Sequence, residues 1–276
     1  MTSLSVSAPA KLNLFLHITG RREDGYHELQ TLFQLLDFGD TLQFEDNNDD
    51  QISLEGPDLG IPTESNLVLR AARALERPQG RGVRITLDKV IPTGGGLGGG
   101  SSDAASTLLA LNHLWQLGHS NNELQAIGST LGADVPVFVA GHSAWAEGVG
   151  ERLTPVEIPE SWYLVIHPDT HIATGEIFSR PELTRNTPPI TIAAFFAGDS
   201  RNDCQTVARH LYPEVDNALI WLSKLGDARL TGTGACVFAS FQSRAEADAV
   251  RRQVPATWTA FVARGLNRSP VLEELV

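Results

Sequence analysis

Between Pro92 and Ser101 the chain places six glycines in seven positions, as GGGLGGG over residues 94–100. Each glycine loses more backbone freedom on folding than any other residue, so a run this dense is unfavourable unless the main chain must come close to something. The flanks define the setting. Val83-Arg84-Ile85-Thr86-Leu87 alternates apolar and polar as a half-buried strand does, and Pro92 stops it. Downstream, Ala104, Ala105, Leu108, Leu109, Leu111 and Trp115 recur at helical spacing, with Ser101, Ser102 and Asp103 offering side-chain oxygens for the N-cap. A glycine loop running into a helix N-terminus presents unpaired N–H groups and the positive end of the dipole, which favours a phosphate. The plainer reading, a flexible tip between strand and helix, leaves the density of glycine unexplained.

Three common phosphate loops do not fit. A Walker A loop ends in Gly-Lys-Ser/Thr, whereas Gly100 runs straight into Ser101 with no lysine. Gly94, Gly96 and Gly99 satisfy G-x-G-x-x-G, yet Leu117-Gly118-His119-Ser120 simply ends one helix and starts another where a dinucleotide fold needs an acidic strand end. A protein-kinase loop leads into a strand carrying a lysine, and this one leads into an alanine-rich helix.

Composition limits the partners. A net charge of -12 and a pI near 5.1 argue against nonspecific binding to nucleic acid or to an anionic membrane, so a polyanionic ligand must be met by local amides and a few placed cations. No apolar run reaches membrane-spanning length, and Met-Thr-Ser-Leu-Ser lacks the pattern of a signal peptide. Cys204 and Cys236 are too few for a disulfide scaffold. The expectation is a cytoplasmic protein of 276 residues with about two domains.

Along the chain, Ser5 to Ile18 alternates as a strand, with Leu12, Leu14, Leu16 and Ile18 on one face and Lys11, Asn13, Phe15 and His17 on the other. A lysine and an asparagine so placed ordinarily face solvent. Tyr26 and His27 stand at the exit of the turn Gly20–Gly25, where an aromatic often just packs back on a sheet. Leu35 to Phe44 reads as a second strand. Asp46, Asn48 and Asp50 imitate the start of a calcium loop, but Gln51 replaces its glycine and Pro57 its glutamate, which leaves a solvated turn. A helix is expected from Ser65 to Glu76 and another from Asn121 to Leu131; Asn66 reads as a helix-start residue and Lys89 as a surface lysine. Asp134, two residues before Pro136, has the spacing of a cap or turn aspartate, and Ala144 to Glu151 reads as a tight turn. His167 and His171 have i, i+4 spacing, but Pro168 speaks against a helix that presents both to a metal. Strand Trp162–Ile166, helices Asp203–Leu211 and Val215–Leu225, a strand–turn–strand over Arg229–Phe238, helix Arg244–Gln253 and strand Trp258–Val262 suggest an α+β second half.

The order Pro-x-x-x-Gly-Leu-Gly-x-x-Ser-Ser-x-Ala, written here from Pro92 to Ala104 with two extra glycines, resembles the ATP loop of the GHMP kinases, the superfamily of galactokinase, homoserine kinase and mevalonate kinase. Four further segments resemble that family in the right order: Ala8–Leu14, the DGYHEL run, LGADVPVF around Asp134, and TGTGAC over residues 231–236. The resemblance implies a two-domain α+β kinase fold. Residues 1–155 would form an N-terminal mixed α/β domain carrying the phosphate loop, and 156–276 a C-terminal ferredoxin-like α+β domain. It implies ATP and Mg²⁺, with Pro92, Gly94, Gly95, Gly96, Leu97, Gly98, Gly99, Gly100, Ser101 and Ser102 around the phosphates and Asn66 and Lys89 flanking the adenine. Lys11 and Asp134 would be catalytic, Asp134 as proton acceptor or as electrostatic orienter of Lys11.

The wording of the loop is most similar to members whose acceptor is a cytidyl diphosphate sugar alcohol. In them the residues matching Tyr26 and His27 stack on and read cytosine, and those matching Asn13, Thr174 and Phe178 line the acceptor side. The metal ligands stay open, with Ser101 and Ser102 as candidates. Rival readings are a related kinase for mevalonate or homoserine, which would leave Tyr26 and His27 idle, and a silent nucleotide-binding regulator, against which Lys11 and Asp134 speak. One departure stands out: Asp103 occupies a position where a neutral asparagine is as readily expected, and a carboxylate aimed at phosphates would repel them.

Overall fold

The structure, a computed structural model, describes residues 3–198 and 201–275, so Met1 and Thr2 of the segment read for targeting lie outside the described residues. Its first two strands, β1 (Ser3–Arg21) and β2 (His27–Asn47), are an antiparallel hairpin of unusual length. The turn between them is closed by Arg22 N–H donating to the Tyr26 carbonyl (2.8 Å) and Tyr26 N–H donating to the Asp24 carboxylate (3.1 Å). That turn delivers Tyr26 and His27 to the hairpin tip.

After β2 come β3 (Ile52–Glu55), a single 3-10 turn at Thr63–Ser65, α1 (Leu67–Ala74), β4 (Gly82–Asp88), α2 (Gly99–Leu114), α3 (Asn121–Leu131), α4 (Val135–Ala140), β5 (Ala144–Gly148) and β6 (Arg152–Pro155). The second half holds β7 (Trp162–His167), α5 (Thr174–Ser179), α6 (Ile192–Phe196), α7 (Gln205–Leu211), α8 (Pro213–Leu222), β8 (Arg229–Leu230), β9 (Val237–Phe241), α9 (Arg244–Arg251), β10 (Thr259–Leu266) and α10 (Val271–Glu274). β2 is the spine. One edge takes β1 along its length, and the other takes β5 at residues 29–33, β10 at 35–36 and β4 at 41–47. From β10 the sheet continues through β7 and β9 to β8, all antiparallel, while β3 joins β4 in parallel at the far edge.

Two of the sequence expectations are corrected. Ala144 to Glu151 is a strand followed by the turn that leads into β6, because Ala144–Gly148 pairs with β2 before Gly150 reverses the chain. The even alternation expected of β1 also fails. Its register shifts between Asn13 and Leu16, so Leu12 and Leu14 enter one core cluster together with Phe15, and Leu16 and Ile18 enter another. Both faces of β1 are covered, which is why Lys11 and Asn13 are buried rather than solvated.

Three apolar clusters hold the layers together. The largest lies between the first half of the sheet and α1 to α4, and a second lies under α5, α7 and α8. The third is the seam between them, where Leu12, Leu36, Ile91, Leu97, Val165 and Cys236 are buried together. Leu97, the single side chain inside the glycine run, belongs to this seam and anchors the loop to it.

A first register shift, between Pro9 and Lys11, sets the direction of Lys11 and depends on Gly39 opposite. A Cβ on Gly39 would lie 2.4 Å from the Ala8 carbonyl oxygen and 2.8 Å from Pro9 Cα, both main-chain atoms that cannot swing away. Gly39→Ala should therefore cost about 1–3 kcal/mol of stability, the usual range for overpacking, read as a lower urea midpoint at unchanged slope.

Candidate active site

The glycine loop and the hairpin tip are the two ends of one cleft of about 1090 Å³. Gly94, Gly95, Gly96, Leu97 and Gly98 all turn their carbonyls into the protein. These accept from Ala235 N–H (3.1 Å), Cys236 N–H (3.1 Å), Lys11 Nζ (3.0 Å), Lys11 N–H (3.0 Å) and Ser102 N–H (2.8 Å) in turn. None of the five amide N–H groups donates to an acceptor among the described residues. With the carbonyls withdrawn and the amides free, the loop is a concave set of donors, as an anion requires. Gly98 forms the N-cap of α2 with φ of 73°, where an added Cβ would meet Phe138 Cζ at 2.8 Å and Lys11 Cε at 3.2 Å. The cap expected from Ser101, Ser102 or Asp103 is thus a left-handed glycine. The helix starts before the serines, and their oxygens are released for other uses.

Those uses differ. Ser101 lines the cleft, whereas Ser102 is fully buried and donates to the Pro9 carbonyl at 2.7 Å, so its hydroxyl ties α2 to β1 and does not face a ligand. Asp103 does not repel phosphates as a free carboxylate would. It is buried with Lys89, whose ammonium donates to Asp103 Oδ2 at 2.8 Å and to Asp40 Oδ2. Burial and the neighbouring Asp40 push the Asp103 carboxyl up to about 7 against the opposing pull of Lys89, and its Oδ1 has no partner. Lys89 is accordingly a buried cation committed to two acids at the cleft wall, not a surface lysine. Asn66 caps α1 by accepting from Val68 N–H (2.9 Å) and also lines the cleft.

Lys11 and Asp134 meet where the loop opens. Lys11 Nζ lies 3.4 Å from Asp134 Oδ2 and donates to Asn13 Oδ1 (2.5 Å) and the Gly96 carbonyl (3.0 Å). The lysine side chain is 3% exposed and the aspartate 35%, so the cation is fixed from below and the carboxylate is open to the cleft. Asp134 occupies the N-cap of α4 but makes no capping bond, which leaves both oxygens for Lys11 and for whatever enters. Asn13 is itself held by Thr31 Oγ1, at 3.0 Å from its Nδ2, and Thr231 Oγ1, at 2.9 Å from its main-chain nitrogen.

At the other end Tyr26 is 63% exposed, a free aromatic face. His27 stacks on Phe178 with ring centroids 4.9 Å apart and planes 26° apart. Burial, Arg185 and Arg21 hold the imidazole below its ordinary pKa, so it is neutral near pH 7. Thr174 meets Thr233 at 3.2 Å on the wall between the two ends. Sequence reasoning missed Asp40 and Arg185, isolated polar residues whose partners lie far along the chain. It set His171 aside as a metal ligand, whereas the residue lines the cleft, and it marked Thr231 only through the TGTGAC run. Among the described residues no group of three His, Cys, Asp or Glu side chains could hold a metal ion, and no helix is long and apolar enough to cross a membrane.

This fold and cleft are those of a small-molecule kinase, and the chain belongs to the GHMP kinase family. Residues 66–142 match the N-terminal domain of GHMP kinases and residues 189–260 their C-terminal domain. The chain is 60% identical over 274 residues, 99% of its length and 97% of the relative's, to the 4-diphosphocytidyl-2-C-methyl-D-erythritol kinase of Pseudomonas aeruginosa strain LESB58. To the kinase of the same name from Pseudomonas syringae pv. syringae it is 57% identical over 99% of its length and 97% of the relative's. A crystal structure of 4-(cytidine 5'-diphospho)-2C-methyl-D-erythritol kinase superposes with a TM-score of 0.82 at 35% identity, covering 95% of this chain and 99% of the other. The mevalonate kinase of Methanococcus jannaschii shares the fold, with a TM-score of 0.71 at 16% identity over 96% of this chain and 98% of the other.

The raised Asp103 pKa has a sign. Between the ordinary value of 3.8 and about 7 the folded state holds a proton that the unfolded state has lost, so this group makes stability fall as pH rises across that window. Asp103→Asn should remove the slope. The urea midpoint of the variant, measured against the parent at pH 5 and pH 8, should be relatively higher at pH 8.

Proposed function

We propose that this chain transfers the γ-phosphoryl of ATP to the 2-hydroxyl of 4-diphosphocytidyl-2-C-methyl-D-erythritol, giving the 2-phosphate and ADP in the non-mevalonate route to isoprenoid precursors. The observation that carries the reading is a single cleft joining a phosphate loop, a Lys–Asp pair 3.4 Å apart and an aromatic pocket with a neutral histidine. Phosphoryl transfer asks a protein mainly for alignment and charge stabilisation. The free amides of residues 94–98 hold the phosphates of ATP, and Asn66 faces its adenosine end. Lys11, fixed by Asn13 and the Gly96 carbonyl, stabilises charge on the transferring group and orients the acceptor hydroxyl. Asp134 accepts the hydroxyl proton. Tyr26 and Phe178 supply faces for the cytosine and His27 a polar edge. Thr174 flanks the erythritol.

Mg²⁺ fits a site of this kind as a cation carried in on the phosphates. Of the acids lining the cleft beside the loop, Asp103 is committed with Asp40 to Lys89 and Asp134 faces Lys11, and Ser101 is a hydroxyl free to add an oxygen. When bound it neutralises phosphate charge. A reaction on free nucleotide and a soluble sugar alcohol belongs to the cytoplasm and needs neither membrane nor nucleic acid.

The test is ADP release from the purified protein with ATP and Mg²⁺ against the cytidyl acceptor, mevalonate and homoserine. Turnover should be confined to the first, and preference for either of the others would reject this assignment. Asp134→Asn keeps the shape but neither accepts the proton nor opposes Lys11. Its kcat should drop by about 10²–10⁴, or roughly 3–5 kcal/mol, while both substrates still bind. A variant keeping more than about a tenth of the parent kcat would move the base elsewhere.

A further inference from the structure

Arg185 is an arginine with no acid partner among the described residues. Its guanidinium donates from Nη1 to the Leu183 carbonyl (3.0 Å), from Nη2 to the carbonyls of Phe178 (2.9 Å) and Arg180 (2.6 Å), and from Nε to His27 Nε2 (3.0 Å). Four of its five N–H groups are therefore spent, three of them on main-chain carbonyls of the segment that also carries Phe178. The side chain is clamped, and the one ring nitrogen it reaches is His27 Nε2.

A guanidinium can only donate, since it does not lose its proton in proteins. His27 Nε2 must then be the lone-pair nitrogen, and the proton of the neutral ring sits on Nδ1. Nδ1 makes no hydrogen bond to any described residue. With Phe178 stacked on the ring and Arg185 on one nitrogen, the remaining nitrogen is the group His27 can offer a ligand at the cleft.

We propose that Arg185 locks His27 as a donor toward the base, so that the pocket selects a pyrimidine with a ring-nitrogen acceptor. Cytosine carries a lone pair at N3, whereas uracil carries an N–H there. A fixed donor pairs with the first and opposes the second. An imidazole free to change tautomer would meet either, because moving its own proton to Nε2 turns Nδ1 into an acceptor. Arg185 is thus a positioning residue for specificity; it need not touch the substrate. The lowered pKa of His27 agrees with this, since a second proton would have to sit on the nitrogen that faces the guanidinium. The inference rests on the cytidyl reading of the cleft, but the tautomer is a property of the protein alone.

The two can be tested apart. Long-range ¹H–¹⁵N spectra of the full chain without ligand, with His27 assigned by its Gln variant, report which nitrogen is protonated. The expected result is Nδ1–H in the parent and in Arg185→Lys, which still presents only donors, and a shift toward Nε2–H in Arg185→Met. A parent with the proton on Nε2 would overturn the lock whatever the substrate. In kinetics, the ratio of kcat/KM for the cytidyl acceptor to that for its uridyl counterpart should fall about tenfold or more in Arg185→Met. The change should lie in the KM of the acceptor, with the KM of ATP unchanged and much of the ratio retained in Arg185→Lys. An unaltered ratio in Arg185→Met would remove Arg185 from specificity. Absence of turnover with either base in the parent would overturn the substrate reading and the selectivity claim with it, while the spectra still decide the tautomer. If Arg185→Met fails to fold, Arg185→Gln, whose amide can donate or accept, replaces it in both measurements, with the same expected shift and the same overturning result.

Discussion

The cleft depends on where the glycine loop sends its carbonyls. A peptide unit carries a donor and an acceptor, and a loop is attractive to an anion only if the acceptors are withdrawn. Here the withdrawal is done mostly by distant parts of the chain, the main chain at Ala235 and Cys236 and the ammonium and amide of Lys11, with the adjoining first turn of α2 taking the last carbonyl. Lys11 therefore has two tasks in one place. It consumes the Gly96 carbonyl and presents its charge to Asp134, so the phosphate cradle and the reacting end of the cleft share a single side chain.

Much of this was legible in the sequence, for identifiable reasons. Glycine density, helical spacing after it and alternation before it are local signals, and they located the loop, α2 and β4. Elements called by period, such as α3, β7 and β9, have the same origin. The register shifts of β1 were not legible, because a bulge is set by the partner strand, here by a glycine about thirty residues away opposite Pro9. In the site, Lys11, Asp134, Tyr26 and His27 stood in recognisable runs. Ser102 did not behave as its run suggested, since the helix begins on Gly98 and rotates that hydroxyl onto β1.

The charged residues around Lys89 show the limit more clearly. Asp103 looked like a liability beside phosphates, and Lys89 like a surface lysine, because each was read alone. Together with Asp40 they form one buried group whose charge is internally balanced to within a proton. Such clusters have no sequence signature when their members sit 14 and 49 residues apart. Arg185 is the same kind of case, as its partner His27 lies 158 residues upstream.

The strand β10 has a consequence for how the two halves of the chain are joined. β10 reaches β2 through Gly265 and Leu266, and the Leu266 carbonyl accepts from both Gln34 and Ser143, while Glu274 holds Ser7. Gln34 and Ser143 already meet each other, and the Leu266 carbonyl ties both to β10. The seam between the two halves is thus written partly in side-chain hydrogen bonds, so a substitution at Gln34 or Ser143 would loosen β10 from β2 as well as the first half from within.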